Sequence, residues 1–208
     1  MFGDLTENNK KLSLVKLDTL CKIQGGLQVS AETRKNLSLT MPYLRVANVY
    51  RNQLELSEIK NIDLTEGELE RTRLQKDDIL IVEGHGNRNE IGRAAIWDGS
   101  IDPVVHQNHL IRVRPDFEQA TSIFLCYFVN SESGRQQLIG SSNTTSGLNT
   151  ISTGKVKNLN LPIPPLSQQH QFAKIIEQIE SQKEQAKKSL AESEALFQGL
   201  LAGYFGDN

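Results

Sequence analysis

The sequence predicts an α+β fold, with a mixed globular domain over residues 1–165 followed by one long helix over residues 166–208. Three observations predict it. From Phe172 to Gln198 the chain runs without Pro or Gly, and apolar residues fall at Phe172, Ile176, Ile179, Ala186, Leu190, Phe197 and Leu200. That 4-3 spacing, broken at Lys183 and Ser193, marks a helix that buries one stripe against another helix. Upstream, strand-like and helix-like segments mix without a regular βαβ rhythm, which points to α+β. Between the two parts, Pro162, Pro164 and Pro165 forbid an earlier helix start and form a hinge.

Each element has its own signal. Residues 1–11 are polar and carry no pattern. The spacing of Leu14, Leu17, Leu20 and Cys21 fits a short helix over residues 14–22, ended by Gly25-Gly26. Residues 27–40, rich in Ser, Thr and Asn, read as a loop. Residues 41–49 alternate like a strand, with Leu44 and Val46 on one face and Arg45 and Ala47 on the other. Residues 59–64 form a second strand, after which Thr65 and Glu68 make a capping box for a short helix.

The clearest strand is residues 77–82, an acidic turn leading into Ile79-Leu80-Ile81-Val82. A polar, glycine-bearing loop covers residues 83–93, and residues 94–97 resume a strand that Asp98-Gly99 turns. Residues 104–113 are a further strand, closed by Pro115. Residues 121–130 are apolar throughout and predict a buried helix, with Ser133-Gly134 after it. Residues 141–153 read as a loop, and Leu159-Asn160-Leu161 leads into the hinge. Ser167 is the expected N-cap of the long helix, with Gly203 and Gly206 as its stop. From residue 166 to 201 such a helix spans roughly 50 Å, long enough for a spacer or dimerisation arm. A core helix folded back on its own domain is the alternative. Phe2-Gly3-Asp4 recurs as Phe205-Gly206-Asp207, which suggests one unit of a tandem array.

Composition bounds the function. The chain has 208 residues, 38% hydrophobic and 23% charged, an ordinary globular composition. No apolar run approaches the roughly 18 residues of a membrane span, so a cytoplasmic protein without membrane attachment is expected. Cys21 and Cys126 lie far apart, outside any disulfide or ligand pattern. Four of the 23 Lys and Arg and six of the 25 Asp and Glu lie from residue 166 onward, leaving 19 of each in residues 1–165. Binding to DNA would therefore rest on local clusters, not on net charge.

No catalytic constellation emerges. His106 and His109 have His-x-x-His spacing, but on a strand they point to opposite faces and lack a third ligand nearby. Gly84-His85-Gly86-Asn87 follows a strand but lacks a dinucleotide or phosphate-loop pattern. No metal, no cofactor and no catalytic residue is expected. Four stretches do combine the side chains that contact bases and phosphates. They are Arg45, Asn48 and Arg51; His85, Asn87, Arg88, Asn89 and Arg93; His106, Asn108 and Arg112; and Asn143, Thr144, Ser146 and Asn149. Each alone is more often a solvated loop.

The chain resembles the DNA specificity subunits of type I restriction–modification enzymes over nearly its whole length. The strongest carriers are Leu161-Pro162-Ile163-Pro164-Pro165-Leu166-Ser167-Gln168-Gln169 and Leu196-Phe197-Gln198-Gly199-Leu200-Leu201. Supporting segments are Tyr43-Leu44-Arg45-Val46-Ala47-Asn48-Val49, Asp78-Ile79-Leu80-Ile81, Ile91-Gly92-Arg93-Ala94-Ala95 and Asn108-His109-Leu110-Ile111-Arg112-Val113-Arg114-Pro115. The resemblance implies a non-catalytic subunit whose target recognition domain reads half of a bipartite site on double-stranded DNA. It implies a long helix that pairs antiparallel as a ruler, with modification (methyltransferase) subunits docked on it; the sequence leaves open whether a restriction subunit is a further partner. A typical member holds two recognition domains and two helices, whereas this chain has one of each. It therefore looks like half a subunit, natural or a fragment, that pairs as a homodimer or with a second recognition domain. The resemblance assigns no base-contacting residue. The competing readings are a coiled-coil adaptor whose globular domain binds protein, and an enzyme with an unrecognised site.

Overall fold

An all-apolar strand at residues 79–82 must be covered on both faces, and the rest of its unit does this. The computed structural model describes residues 11–29, 37–140, 143–145 and 148–205. The chain divides into two units, Met1–Gln169 and His170–Asn208. The first begins with β1 (Ser13–Lys16), β2 (Cys21–Gly25), β3 (Leu39–Leu44), β4 (Val49–Tyr50), β5 (Gln53–Leu54), β6 (Lys60–Leu64) and α1 (Glu66–Thr72). It continues with β7 (Ile79–Val82), β8 (Gly84–His85), β9 (Ala94–Ile96), β10 (Val105–His106), β11 (Leu110–Pro115), α2 (Ser122–Asn130) and α3 (Glu132–Ile139). The hairpin β12 (Asn143–Thr145) and β13 (Leu148–Thr150) precedes α4 (Thr153–Lys157), β14 (Asn160–Ile163) and α5 (Leu166–Phe205).

The central sheet has the order β2-β11-β7-β9 and is antiparallel throughout. Leu80 and Val82 of β7 join Leu44, Val49, Leu74, Ala95, Trp97, Val104 and Leu110 in one core cluster. Ile79 and Ile81 point to the opposite face and are equally buried. On the flank, α2 packs along β9. A second sheet, β10-β3-β6, covers a cluster of Leu27, Tyr43, Ile62, Leu64 and Val105. At the join between the sheets, a Cβ on Gly26 would collide with the carbonyl oxygens of His106 and Gln107. Only glycine fits there.

Several expectations stand. The capping box forms as expected, with Glu68 N donating to Thr65 Oγ1 at 3.2 Å and Thr65 N donating to Glu68 Oε2 at 3.0 Å. The strands at residues 60–64, 79–82 and 94–96 and the buried helix at residues 122–130 also match. Asp78, read as part of an acidic turn, is an internal anchor. It receives Arg114 Nε and Nη2 at 2.7 Å each and the Gln75 amide at 2.7 Å.

Other expectations are corrected. Residues 14–22 do not form a helix; they give β1, a 3-10 turn at Leu17–Thr19 and the start of β2. Pairing of β1 with β14 and of β2 with β11 overrides a weak local helix pattern. The strand expected over residues 41–49 stops at Leu44, because Asn48 Oδ1 accepts the Arg45 amide at 3.0 Å and closes a 3-10 turn. The strand over residues 104–113 is interrupted between β10 and β11, where Leu110 N donates to Gln107 O. Ser133-Gly134 does not follow the helical region but lies inside α3. Ser131 ends α2 and caps α3 by accepting the Gly134 amide at 3.3 Å. The loops expected at residues 83–93 and 141–153 contain β8 and the β12–β13 hairpin.

The long helix starts at Leu166, one residue before the expected Ser167 cap, and continues through Gly203 to Phe205. Its 40 residues span about 60 Å. Its first turn belongs to the globular unit. Gln169 is fully buried, accepts the Thr121 amide at 2.9 Å and donates to the Pro164 and Gln119 carbonyls. That gives the Pro-Pro-Leu-Ser-Gln-Gln junction a physical reason for its second Gln. Gly206 and the Phe-Gly-Asp repeat, apart from Phe205, lie outside the described residues.

Candidate nucleic-acid interface

Of the expected contact residues, four are interior. Asn48, 2% exposed, donates to the Glu55 and Glu58 carbonyls at 2.7 and 3.0 Å. His106 is fully buried with Nδ1 3.1 Å from the Thr72 carbonyl, so that nitrogen carries the proton. Burial, with Arg112 beside it, pushes its imidazole down to about 4. Arg112 donates to the Arg71 and Arg73 carbonyls at 3.3 and 3.0 Å and to Gln24 at 3.3 Å. Arg93 pairs with Glu90 at 2.6 Å, donates to the Val46 carbonyl at 3.0 Å and lies 4.7 Å over the Tyr50 ring. The reason for the correction is common to all four. Each side chain is buried and bonded to groups of the chain itself, although His106 Nε2 and the Nε atoms of Arg93 and Arg112 are left without a partner.

Arg93→Met is accordingly expected to lower stability by about 2 kcal/mol, through loss of a charge-assisted bond and an orphaned carbonyl. Urea unfolding checks the stability. DNA retention per folded molecule should not change, and a selective loss of DNA binding at full stability would reverse the assignment.

Most of the remaining described candidates gather around one turn. Arg51 sits at the tip of the β4–β5 hairpin, followed by Asn52 at φ 55°. Asn52 holds the hairpin by accepting Asn130 Nδ2 at 2.7 Å and donating its amide to the Ala94 carbonyl at 2.8 Å. After β8, Asn87 N donates to His85 Nδ1 at 3.0 Å, and Asn87 Oδ1 accepts the Asn89 amide at 3.0 Å. These bonds form a 3-10 turn at Arg88–Glu90 with Asn87, Arg88 and Asn89 exposed. Backbone pairing of His85 with Asn149 brings the β12–β13 hairpin, and so Asn143 and Thr144, to the same edge. Ser146 lies outside the described residues. Arg45, paired with Glu58 at 2.7 Å, and half-buried Asn108 belong to other parts of the unit.

One residue of this cluster escaped the sequence reading. Arg135 of α3 donates to the Asn89 carbonyl at 3.3 Å, beside Arg51, which donates to the same oxygen at 2.5 Å. Its signal was Ser131 in the N-cap position before Leu138, obscured because Gly134 reads as a helix breaker. Gly134 is there for space. A Cβ would collide with the Phe128 carbonyl where α3 turns against α2.

On the second unit, Ile179, Leu190, Phe197 and Leu200 are 40%, 60%, 59% and 51% exposed, as is Ala186, while Phe172 and Ile176 are half-buried. Leu196, Leu201 and Tyr204 add to the exposed apolar surface near the helix end.

A mixed α+β unit with an arginine- and asparagine-bearing loop edge is thus followed in the chain by a helix with an exposed apolar stripe. The chain belongs to the type I restriction modification DNA specificity domain family, whose model matches residues 9–193. It is 30% identical over 166 residues to the type I restriction enzyme StySPI specificity subunit of Salmonella potsdam, covering 78% of this chain and 36% of that one. It is 28% identical over 173 residues to the EcoKI specificity subunit of Escherichia coli strain K12, covering 79% and 36%. The crystal structure of the HsdS subunit from Thermoanaerobacter tengcongensis matches in fold with a TM-score of 0.63 at 19% identity, over 94% of this chain and 50% of that one. The chain thus spans about a third of the length of the curated relatives it matches.

Proposed function

We propose that this chain is a sequence-specific DNA-recognition subunit of a type I restriction–modification methyltransferase complex. Residues 1–165 act as the target recognition domain and read one half of a bipartite duplex target. Residues 166–208 act as spacer, pairing arm and docking site for modification subunits, with a second copy of this chain supplying the other half-reader. The chain itself performs no methyl transfer or cleavage, needs no cofactor and works in the cytoplasm. A restriction subunit joins through the same assembly. The family match over residues 9–193 is the single observation that carries this reading. The clustering of His85, Asn87, Arg88 and Asn89 beside strands β12 and β13 at one edge supports it. The adaptor reading has no comparable support.

The test is sequencing of methylated sites in DNA modified by this chain together with its modification subunit. Two identical readers related by a two-fold axis require a palindromic motif with an unread centre. Methylation without a motif, or a motif that stays the same when another specificity chain is substituted, overturns the reading.

A further inference from the structure

Arg51, Arg88 and Arg135 come from three separate segments and meet around the turn at residues 87–90. Arg51 and Arg135 share the Asn89 carbonyl oxygen, and Arg88 donates to the Ile139 carbonyl at 3.2 Å, at the end of α3. The carboxylate in this turn, Glu90, is held by Arg93 at 2.6 Å. Among the described residues no carboxylate pairs with the three arginines. Arg51 Nη1 and Arg135 Nε are buried without a hydrogen-bond partner there. Burial, and then the positive charge of Arg135, hold the Arg51 guanidinium below its ordinary range. Glu90, already bound by Arg93, also acts on Arg51 as a partial counter-charge, and an incoming anion would relieve the remaining repulsion between Arg51 and Arg135.

The geometry also decides what kind of contact they can make. A guanidinium reads guanine by offering two N–H groups side by side to O6 and N7. In each of these arginines Nη2 is already bound to a backbone carbonyl, and in Arg51 Nη1 is buried as well. For Arg51 and Arg135 these bonds leave charge at a fixed place, which suits a phosphate oxygen, whereas exposed Arg88 retains further N–H groups and its role is decided by the enrichment test.

We propose that Arg51, Arg88 and Arg135 form a clamp for the phosphate backbone of duplex DNA, anchoring the domain without reading sequence. Base reading then falls to residues outside the clamp, Asn87 among them. The clamp rests on the proposed DNA-recognition function and deepens it.

The test uses the full chain and a random-sequence duplex pool. Retention is measured against salt, and the retained molecules are sequenced. Each of Arg51→Gln, Arg88→Gln and Arg135→Gln is expected to reduce the slope of log affinity against log salt by about 0.9, and the triple variant by about 2.7. The enriched sequences should not change. Arg135→Lys keeps the charge and should keep the slope, which separates loss of charge from a packing defect, and thermal melting confirms each fold. Changed enrichment would make these arginines base readers and overturn the clamp. Unchanged slopes with enrichment intact would overturn the clamp and leave the recognition function standing. Reduced slopes with no enrichment even in the unaltered chain would support the clamp and overturn sequence recognition. Failure of the unaltered chain to retain duplex at any salt would overturn both.

Discussion

If two copies pair through the long helix as proposed, Ile179→Asp combined with Leu190→Asp is expected to leave monomers with the globular unit still folded. Both side chains are substantially exposed on the single chain, 40% and 60%, so the substitutions remove no core packing from it. In a symmetric pair they would take away four apolar side chains of which about half the surface remains to be buried, about 3–6 kcal/mol in all, and add charge to the seam. The dissociation constant should rise by at least about 10²-fold. Sedimentation at micromolar concentration reads the change. A dimer that survives the double substitution, or a chain that is monomeric from the start, ends the case for pairing through this stripe. The same helix gives a second, metric test. Inserting one heptad between Ile179 and Leu190 keeps the 4-3 stripe in phase and lengthens the rod by about 10 Å. At about 3.4 Å per base pair, the unread spacer of the methylated motif should grow by about three base pairs. The half-sites should stay the same. Those base pairs also turn one half-site by about 100° around the duplex, so activity is expected to fall even where the motif lengthens. A spacer indifferent to the insertion would sink the ruler.

Acidification is expected to destabilise the globular unit through His106. In the folded chain burial pushes this imidazole down to about 4, whereas in the unfolded chain it takes a proton near its ordinary value of about 6.5. Between those values the unfolded state binds more protons than the folded state, so stability falls as pH falls. The contribution is fully present above about pH 6.5 and lost progressively towards pH 4, amounting to about 3 kcal/mol. Urea unfolding at pH 7.5 and pH 4 measures it. His106→Gln keeps a donor for the Thr72 carbonyl but does not titrate. It should flatten the pH dependence by that amount even if it lowers stability at every pH. An equal pH dependence in the variant would show that other groups carry the effect.

The long helix, the strand Ile79-Leu80-Ile81-Val82 and the Thr65–Glu68 capping box were legible without tertiary information. Each is written locally, in a period, an unbroken apolar run or a three-residue spacing. The junction at residues 161–169 was legible as a family mark, but its cause was not. The burial of Gln169 against Gln119, Thr121 and Pro164 appears only when α5 is placed beside them. Residues 14–22 were misread for the opposite reason. Their apolar spacing fits a helix, yet partners about 145 and 90 positions away in β14 and β11 draw them into strands, and long-range pairing outweighs a weak local preference.

The contact residues divide along the same line. Sequence chemistry chose Arg88, Arg93 and Arg112 alike because each lies among polar neighbours. Arg88 lies on the surface turn, while Arg93 and Arg112 turn inward to carbonyls 47 and 39 positions away. Arg135 was missed because its place beside Arg51 depends on α3 folding back against α2. The sequence by itself determined which segments are apolar enough to be buried and which residues have the chemistry to touch DNA. The tertiary structure alone decided which arginines lie at the surface. A guanidinium is amphipathic and long enough to satisfy either environment, and only the nearby carbonyls and carboxylates select between them.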